Sequence, residues 1–170
     1  FLYYSMSEFK RFIKTIPDFP VKGIEYRDIQ PLLADERAFE DAINAMTDMI
    51  KVPYEDIDYV VGIESRGFIF ATALAWIINR PLKLIRKKGK LPNKNTVIID
   101  YDYEYSSGAI EMQIGEGKVI LVDDVFATGG TMQAAEELAK EACYDVIDKF
   151  CFIDIGILKD HDVKCVVTYE

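Results

Sequence analysis

The stretch VILVDDVFATGGT (residues 119–131) decides how this chain folds. Val119, Ile120, Leu121 and Val122 form an unbroken apolar run, the mark of a strand buried on both faces of a parallel sheet. That strand delivers two adjacent carboxylates, Asp123 and Asp124, to the sheet's carboxyl edge. Thr128, Gly129, Gly130 and Thr131 follow where a helix is expected to begin. Glycines let backbone N–H groups approach an anion, and a helix N-terminus adds a favourable dipole. One phosphate fits that cradle, the threonine hydroxyls adding donors, while the carboxylates accept hydrogen bonds from neighbouring hydroxyls. A phosphorylated sugar suits both halves. A dinucleotide fingerprint fits less well because GxGxxG is absent, and no GK[ST] follows the glycines to make a Walker A loop. A capped strand-to-helix turn with surface acids is the bland alternative, and the thirteen-residue pattern is too specific for it.

Outward from this segment, strands alternate with helices. Residues 57–63 and 82–85 read as strands, 67–78 as a helix largely hidden from water, and 97–105 with 109–114 as a strand pair around a Ser-Ser-Gly turn. Helices are expected over residues 7–16, 36–50 and 131–142, and further strands over 146–155 and 163–168. The PDFPVKG segment (residues 17–23) is loop chemistry. This order predicts a mainly parallel sheet covered on both faces, with ligands bound beyond the carboxyl ends of the strands. The loops after Ile63, Ile85 and Val122 are therefore the ones to watch.

Composition narrows the function classes. The 170 residues suit one domain, and no repeat or linker divides them. Against 20 Lys and Arg stand 29 Asp and Glu, a net charge of −9, which argues against nucleic-acid or anionic-membrane binding. Any anionic ligand must be held by a local basic patch. The apolar stretch GFIFATALAWII (residues 67–78) is too short to span a bilayer, which needs about 20 residues. The opening FLYYS does not resemble a signal peptide, and Met6 is a candidate native start with the five residues before it extraneous. Cys143, Cys151 and Cys165 form no CxxC pair and read as reduced thiols of a cytoplasmic protein. The one histidine, His161, excludes a His-rich metal site and reads as a surface residue.

With these segments in view, the chain resembles the type I phosphoribosyltransferases, whose phosphoribosyl pyrophosphate loop is similar to residues 119–131. PDFPVKGIEYRDIQPLL (17–33), GIESRGFIF (62–70), RKKGKLP (86–92) and YEYSSGAIEMQ (103–113), in this order, resemble the adenine-specific branch of that family. The resemblance implies a single α/β domain over residues 1–170. It would have a mainly parallel twisted sheet flanked by helices and a small mobile hood hairpin at residues 96–114. It further implies a homodimer that transfers ribose phosphate from phosphoribosyl pyrophosphate to adenine, giving AMP and pyrophosphate. Mg²⁺ would be held mainly through the substrate's pyrophosphate, with no protein ligand assigned. Asp123, Asp124, Ala127, Thr128, Gly129, Gly130 and Thr131 would bind the phosphoribosyl group.

The other loops agree with that chemistry. Breaking the sugar–pyrophosphate bond builds positive charge on the ribose and negative charge on the leaving group, so catalysis needs fixed cations there. Arg86, Lys87, Lys88 and Lys90 supply them straight after a buried strand. A solvated charge run is the ordinary alternative. By resemblance Arg86, Lys87 and Lys90 contact the pyrophosphate, some of them across a dimer interface. Ser65 and Arg66, at the start of a helix, would present N–H groups and a guanidinium to the same anion. A non-proline cis peptide is expected between Ser65 and Arg66, and Arg66 merely pairing a surface acid is the plainer alternative.

DYDYEY (residues 100–105) alternates acid and aromatic, which by itself reads as an acidic solvent face. The resemblance makes Glu104 the acid/base acting on the imidazole ring of adenine and Tyr105 the cover of the reacting sugar. This chain has Tyr103 and Ser106 where the family usually has Leu and Gly around that Glu-Tyr pair. Glu25, Tyr26, Arg27 and Leu158 would form the purine side. Arg27 would order its loop, Leu158 would pack on the ring, and Glu25 occupies a usually apolar position. A different base at the same site, and a ligand-sensing regulator without turnover, remain the alternatives.

Overall fold

In the computed structural model of the chain, residues 4–92, 95–102 and 107–169 are described. The strands are β1 (Lys14–Pro17), β2 (Glu25–Asp28), β3 (Tyr59–Ile63), β4 (Leu82–Lys87), β5 (Thr96–Asp102), β6 (Ser107–Gln113), β7 (Gly117–Phe126), β8 (Tyr144–Asp154) and β9 (Lys164–Thr168). The α-helices are α1 (Met6–Phe9), α2 (Gln30–Leu33), α3 (Glu36–Asp48), α4 (Gly67–Ile77) and α5 (Gly130–Glu141). A seven-stranded sheet runs β5-β6-β4-β3-β7-β8-β9. β4, β3, β7, β8 and β9 are parallel, and the β5–β6 hairpin joins antiparallel through β6. The expected mainly parallel α/β architecture is what the chain adopts.

The alternation of side chains along a strand sends neighbours to opposite faces. Val60, Ile120, Val122, Phe150 and Phe152 pack with Phe70 and Leu74 of α4 and Met46 of α3. Val61, Leu121 and Cys151 pack instead with Leu138 and Ala139 of α5 and with Ile110 and Met112 of β6. Phe70 stacks on Phe152 with ring centroids 5.3 Å apart. Each helix therefore covers the face that strand periodicity assigns to it, and the strand ends are left free to carry the loops.

Three expectations need correction. The helix predicted over residues 7–16 stops early: α1 and a 3₁₀ turn (Lys10–Phe12) are followed by extended Ile13 and then β1. Phe9 and Ile13 reach the core while Ile16 is exposed, so the apolar stripe is not one continuous helical face. β1 instead pairs antiparallel with β2, Pro17 opposite Glu25. Second, β7 does not end at Val122. It continues to Phe126 because β8 is long enough to pair with it as far as Phe126 opposite Asp154, so the acid pair lies inside the strand. Third, Ser107 and Gly108 are ladder residues opposite Asp102 and Tyr101, so the turn is not at them, and residues 103–106 are outside those described.

Candidate active site

The acid pair is the centre of the site. Asp123 and Asp124 are both buried, and the Asp124 N–H donates to Asp123 Oδ1 at 2.8 Å. Burial, followed by the neighbouring Asp124 charge, pushes the Asp123 carboxyl well above its ordinary value. The N-terminus of α4 closes on this pair through Gly67. A Cβ at that position would lie 2.8 Å from Asp123 Oδ1 and 3.0 Å from the Val122 carbonyl oxygen, so only glycine allows the approach.

Arg66 enters from the same turn. Its Nε lies 2.5 Å from Asp124 Oδ2, an ion pair in which that oxygen has no hydrogen-bond partner among the described residues. Its NH1 donates to Tyr26 Oη at 2.8 Å and to the Arg27 carbonyl at 2.9 Å, and the guanidinium lies 4.7 Å from the centre of the Tyr26 ring. The partner of Arg66 is thus a buried site acid rather than a surface one. The cis peptide is Glu64–Ser65, one bond before the expected place. The Ser65–Arg66 peptide already belongs to the opening turn of α4, with Phe68 N–H donating to the Ser65 carbonyl and Ile69 N–H to that of Arg66.

Beyond β7 the chain turns through Gly129 and Gly130 into α5. Gly129, at φ 86°, caps α5 in the left-handed region that favours glycine. The first N–H groups of a helix lack intrahelical acceptors, and no acidic residue sits in the first turn of α5 to compete for them. Leu158 and Phe126 close around Gly129, so Leu158 sits against that turn and is partly exposed.

The basic loop after β4 is held from below by two carboxylates. Glu64 Oε2 accepts from Lys87 N–H at 2.8 Å and faces Arg86 Nε at 3.3 Å. Glu111 Oε1 accepts from the N–H groups of Lys90 and Leu91 at 2.7 and 2.6 Å. Burial raises the Glu111 carboxyl, but the N–H groups of Leu91, Gly89 and Lys90 and the charge of Arg86 outweigh it and hold it below its ordinary value. Arg86 is half-buried while the Lys87, Lys88 and Lys90 side chains stay exposed.

On β2, Glu25 is exposed and its carboxylate turns to Arg27, 3.2 Å away. Arg27 in turn donates to Thr15 and lies over the Tyr169 ring at 4.2 Å, tying the β1–β2 ribbon to the chain's C-terminal strand. Phe19 packs edge-on to Tyr26 at 5.1 Å. His161 is not the surface residue expected: it is half-buried, 3.2 Å from the buried Asp154 and with its ring 4.4 Å from that of Phe126.

The structure thus brings Asp123, Asp124, Arg66, Tyr26 and Arg27 together, and Leu158 against Gly129. Glu104 and Tyr105 lie outside the described residues. Sequence reasoning gave no role to Glu64, Glu111 or Asp154. Glu111 had a signal, a lone acid inside the apolar strand run AIEM.

The phosphoribosyl transferase domain family matches residues 33–170. An adenine phosphoribosyltransferase of Hydrogenovibrio crunogenus is 42% identical over 167 residues, covering 94% of this chain and 95% of that protein. One of Halothermothrix orenii is 45% identical over 160 residues, covering 91% and 92%. Among solved structures, the Giardia lamblia enzyme complexed with 9-deazaadenine superposes with a TM-score of 0.87 at 33% identity, covering 98% of this chain and 99% of that one. The Saccharomyces cerevisiae enzyme, complexed with an imino-altritol bisphosphate and adenine, gives 0.84 at 31%, covering 95% and 98%.

Proposed function

The chain belongs to the phosphoribosyl transferase domain family and, within it, to the adenine phosphoribosyltransferases, and from that premise we propose how its residues carry out the reaction. The reaction transfers the phosphoribosyl group of phosphoribosyl pyrophosphate to adenine, forming AMP and pyrophosphate in purine salvage. The bond from C1 of the ribose to the pyrophosphate oxygen breaks, a ring nitrogen of adenine takes its place, and the imidazole proton of the base is lost.

The 5-phosphate sits in the cradle of Ala127, Thr128, Gly129, Gly130 and Thr131, on the N-terminus of α5. The ribose hydroxyls donate to the Asp123–Asp124 pair, whose carboxylates are buried at the edge of the cradle. The pyrophosphate lies against Arg86, Lys87 and Lys90, with N–H groups of Ser65 and Arg66 at its other side. As the bond to C1 lengthens, these cations stand where negative charge develops. Adenine is read by the backbone of the Glu25–Arg27 segment and packed by Leu158. Glu104 takes the imidazole proton, and Tyr105 covers the sugar and keeps water away.

Mg²⁺ fits this arrangement. The described residues gather no group of three His, Cys, Asp or Glu side chains around one point, and the ion would be held mainly through the substrate's pyrophosphate, with no protein ligand assigned. A Mg²⁺ ion is commonly bound through one or two carboxylates plus substrate phosphates. When bound, it neutralises charge on the pyrophosphate leaving group.

The working unit is a homodimer in the cytoplasm. On α4, Trp76 is 80% exposed and shares a helix face with exposed Ile69, and a groove of about 260 Å³ lined by Leu82, Leu84, Leu91 and Met112 lies under the basic loop. Exposed apolar surface of this kind marks interfaces.

The observation that carries the reading is the buried acid pair between the Arg66 turn and the glycine cradle. Its test is AMP formation from adenine and phosphoribosyl pyrophosphate with Mg²⁺, with hypoxanthine and guanine in parallel. Glu104→Ala is expected to lower kcat by about 10²–10⁴-fold. Asp123→Ala/Asp124→Ala is expected to abolish binding of phosphoribosyl pyrophosphate. Full turnover in both variants overturns the assignment of the site.

A further inference from the structure

The N–H of Arg66 opens α4, but its side chain leaves that helix and spans the site. One guanidinium pairs with Asp124 at 2.5 Å and donates to Tyr26 Oη and the Arg27 carbonyl at 2.8 and 2.9 Å. Asp124 belongs to the ribose half and the Tyr26–Arg27 segment to the base half. We propose that Arg66 is the strut that couples the two substrate sites, so that filling either one raises affinity at the other. The inference rests on the reading above that phosphoribosyl pyrophosphate and adenine occupy these two halves.

The physical basis is that each half is incompletely held on its own. All four residues of β1 are exposed and three of β2 are half-buried, so the ribbon carrying Tyr26 is anchored in the core only at its ends, by Ile13 and Ile29, and not along its length. Along its length it is tied outward by Arg27 against Tyr169 and by Arg66 against Tyr26 and the Arg27 carbonyl. On the other side, Asp124 is buried next to a second carboxylate, and Arg66 is the cation that offsets it. Ribose hydroxyls donating to Asp124 fix that carboxylate, which fixes the guanidinium, which holds the base segment ready. Adenine packed on the base segment fixes Tyr26 and the Arg27 carbonyl, which returns the guanidinium to Asp124. The ligand that binds second no longer bears the ordering cost the first has met, and thermodynamic linkage makes the effect reciprocal.

The test uses the full chain and a pair of ligands that do not react. In 9-deazaadenine a carbon replaces the nitrogen at position 9, so no N-glycosidic bond can form there. Calorimetry measures its affinity with and without saturating phosphoribosyl pyrophosphate and Mg²⁺. Wild type is expected to bind it about five- to hundredfold tighter in the presence of the second ligand. Tyr26→Phe keeps the ring and deletes only the hydroxyl that accepts from Arg66, and is expected to reduce that ratio several-fold. Arg66→Lys keeps the charge but not the two-sided reach, and is expected to bring the ratio close to one. A merely structural role would weaken both ligands and leave the ratio alone. Variants that retain the wild-type ratio, or a wild type that binds both ligands with a ratio of one, overturn the coupling and leave the active-site reading standing. Wild type that binds neither ligand overturns both.

Discussion

At the scale of single residues, the site is built at a cost to stability. Asp123 is buried beside a like charge, and both effects push its carboxyl well up. As pH rises past about 4, where an ordinary aspartate ionises, the unfolded chain releases this proton first. Stability at this residue is therefore full below that pH and is lost progressively as pH rises towards the native value. Asp123→Asn removes the penalty while keeping shape and an oxygen for the Asp124 N–H. Thermal unfolding at pH 7 is expected to shift upward by a few degrees, and to show no difference near pH 3. The same variant is expected to lose about ten- to hundredfold in affinity for phosphoribosyl pyrophosphate, the worth of a hydrogen bond to a charged group. An unchanged melting temperature at pH 7 would show that Asp123 carries no such strain. Gly67→Ala tests the opposite kind of residue. Its methyl would meet Asp123 Oδ1 at 2.8 Å and the Val122 carbonyl at 3.0 Å, and backbone has little room to yield. Overpacking of this kind costs about 1–3 kcal/mol. A lower melting temperature together with a raised KM for phosphoribosyl pyrophosphate is expected, and a wild-type KM would mean that α4 can retreat without disturbing the acids.

At the scale of elements, the basic loop and the turn carrying Leu158 each leave a strand end and are pinned by buried or half-buried carboxylates. Glu64 and Glu111 hold the basic loop, and Asp154 holds the turn that carries Leu158. Asp154 Oδ1 accepts from Gly156 N–H at 2.8 Å, and Oδ2 faces His161 Nε2 at 3.2 Å, so one side chain ties both ends of that turn. His161→Ala is expected to raise the KM for adenine several-fold, with that for phosphoribosyl pyrophosphate moving far less. Steady-state kinetics varying each substrate separates the two, and an equal rise in both would place the turn outside the purine side. The strands of the seven-stranded sheet, the glycine turn into α5 and the basic charge cluster are legible in the sequence because each announces itself locally, by an apolar run, a turn residue or a charge cluster. The pins are not. Arg66 meets Tyr26 forty positions away and Glu111 meets Lys90 and Leu91 some twenty away, so only the tertiary fold brings them together: the β4–β6 pairing for Glu111, and the docking of the separate β1–β2 ribbon for Tyr26. The N-terminal segment failed for a related reason. Its apolar residues fit a helix period, but pairing with β2 decides the conformation of Lys14–Pro17, and that partner lies in another segment.

At the scale of the whole molecule, an acidic protein has to collect a strongly anionic substrate. The net charge of −9 repels it, while Arg86, Lys87, Lys88 and Lys90 concentrate positive charge at one edge of the sheet. A second copy docked beside that edge would set two basic loops close together and shield them from the acidic remainder. The exposed face of α4 offers apolar surface for such a contact, with Trp76 80% exposed near the helix C-terminus and a groove lined by Leu82, Lys83, Leu84, Leu91, Met112 and Gln113 close by. Stable homodimer interfaces are more apolar than ordinary surface and have aromatic side chains at their centres. Trp76→Glu would place a charge there without touching the core. Light scattering coupled to size exclusion is expected to show wild type at twice the chain mass and the variant at the mass of one chain. If the basic loop needs its neighbour, the monomeric variant will show a KM for phosphoribosyl pyrophosphate raised more than that for adenine. A variant that remains dimeric would move the interface off α4, and a monomer with wild-type kinetics would show that one chain holds a complete site.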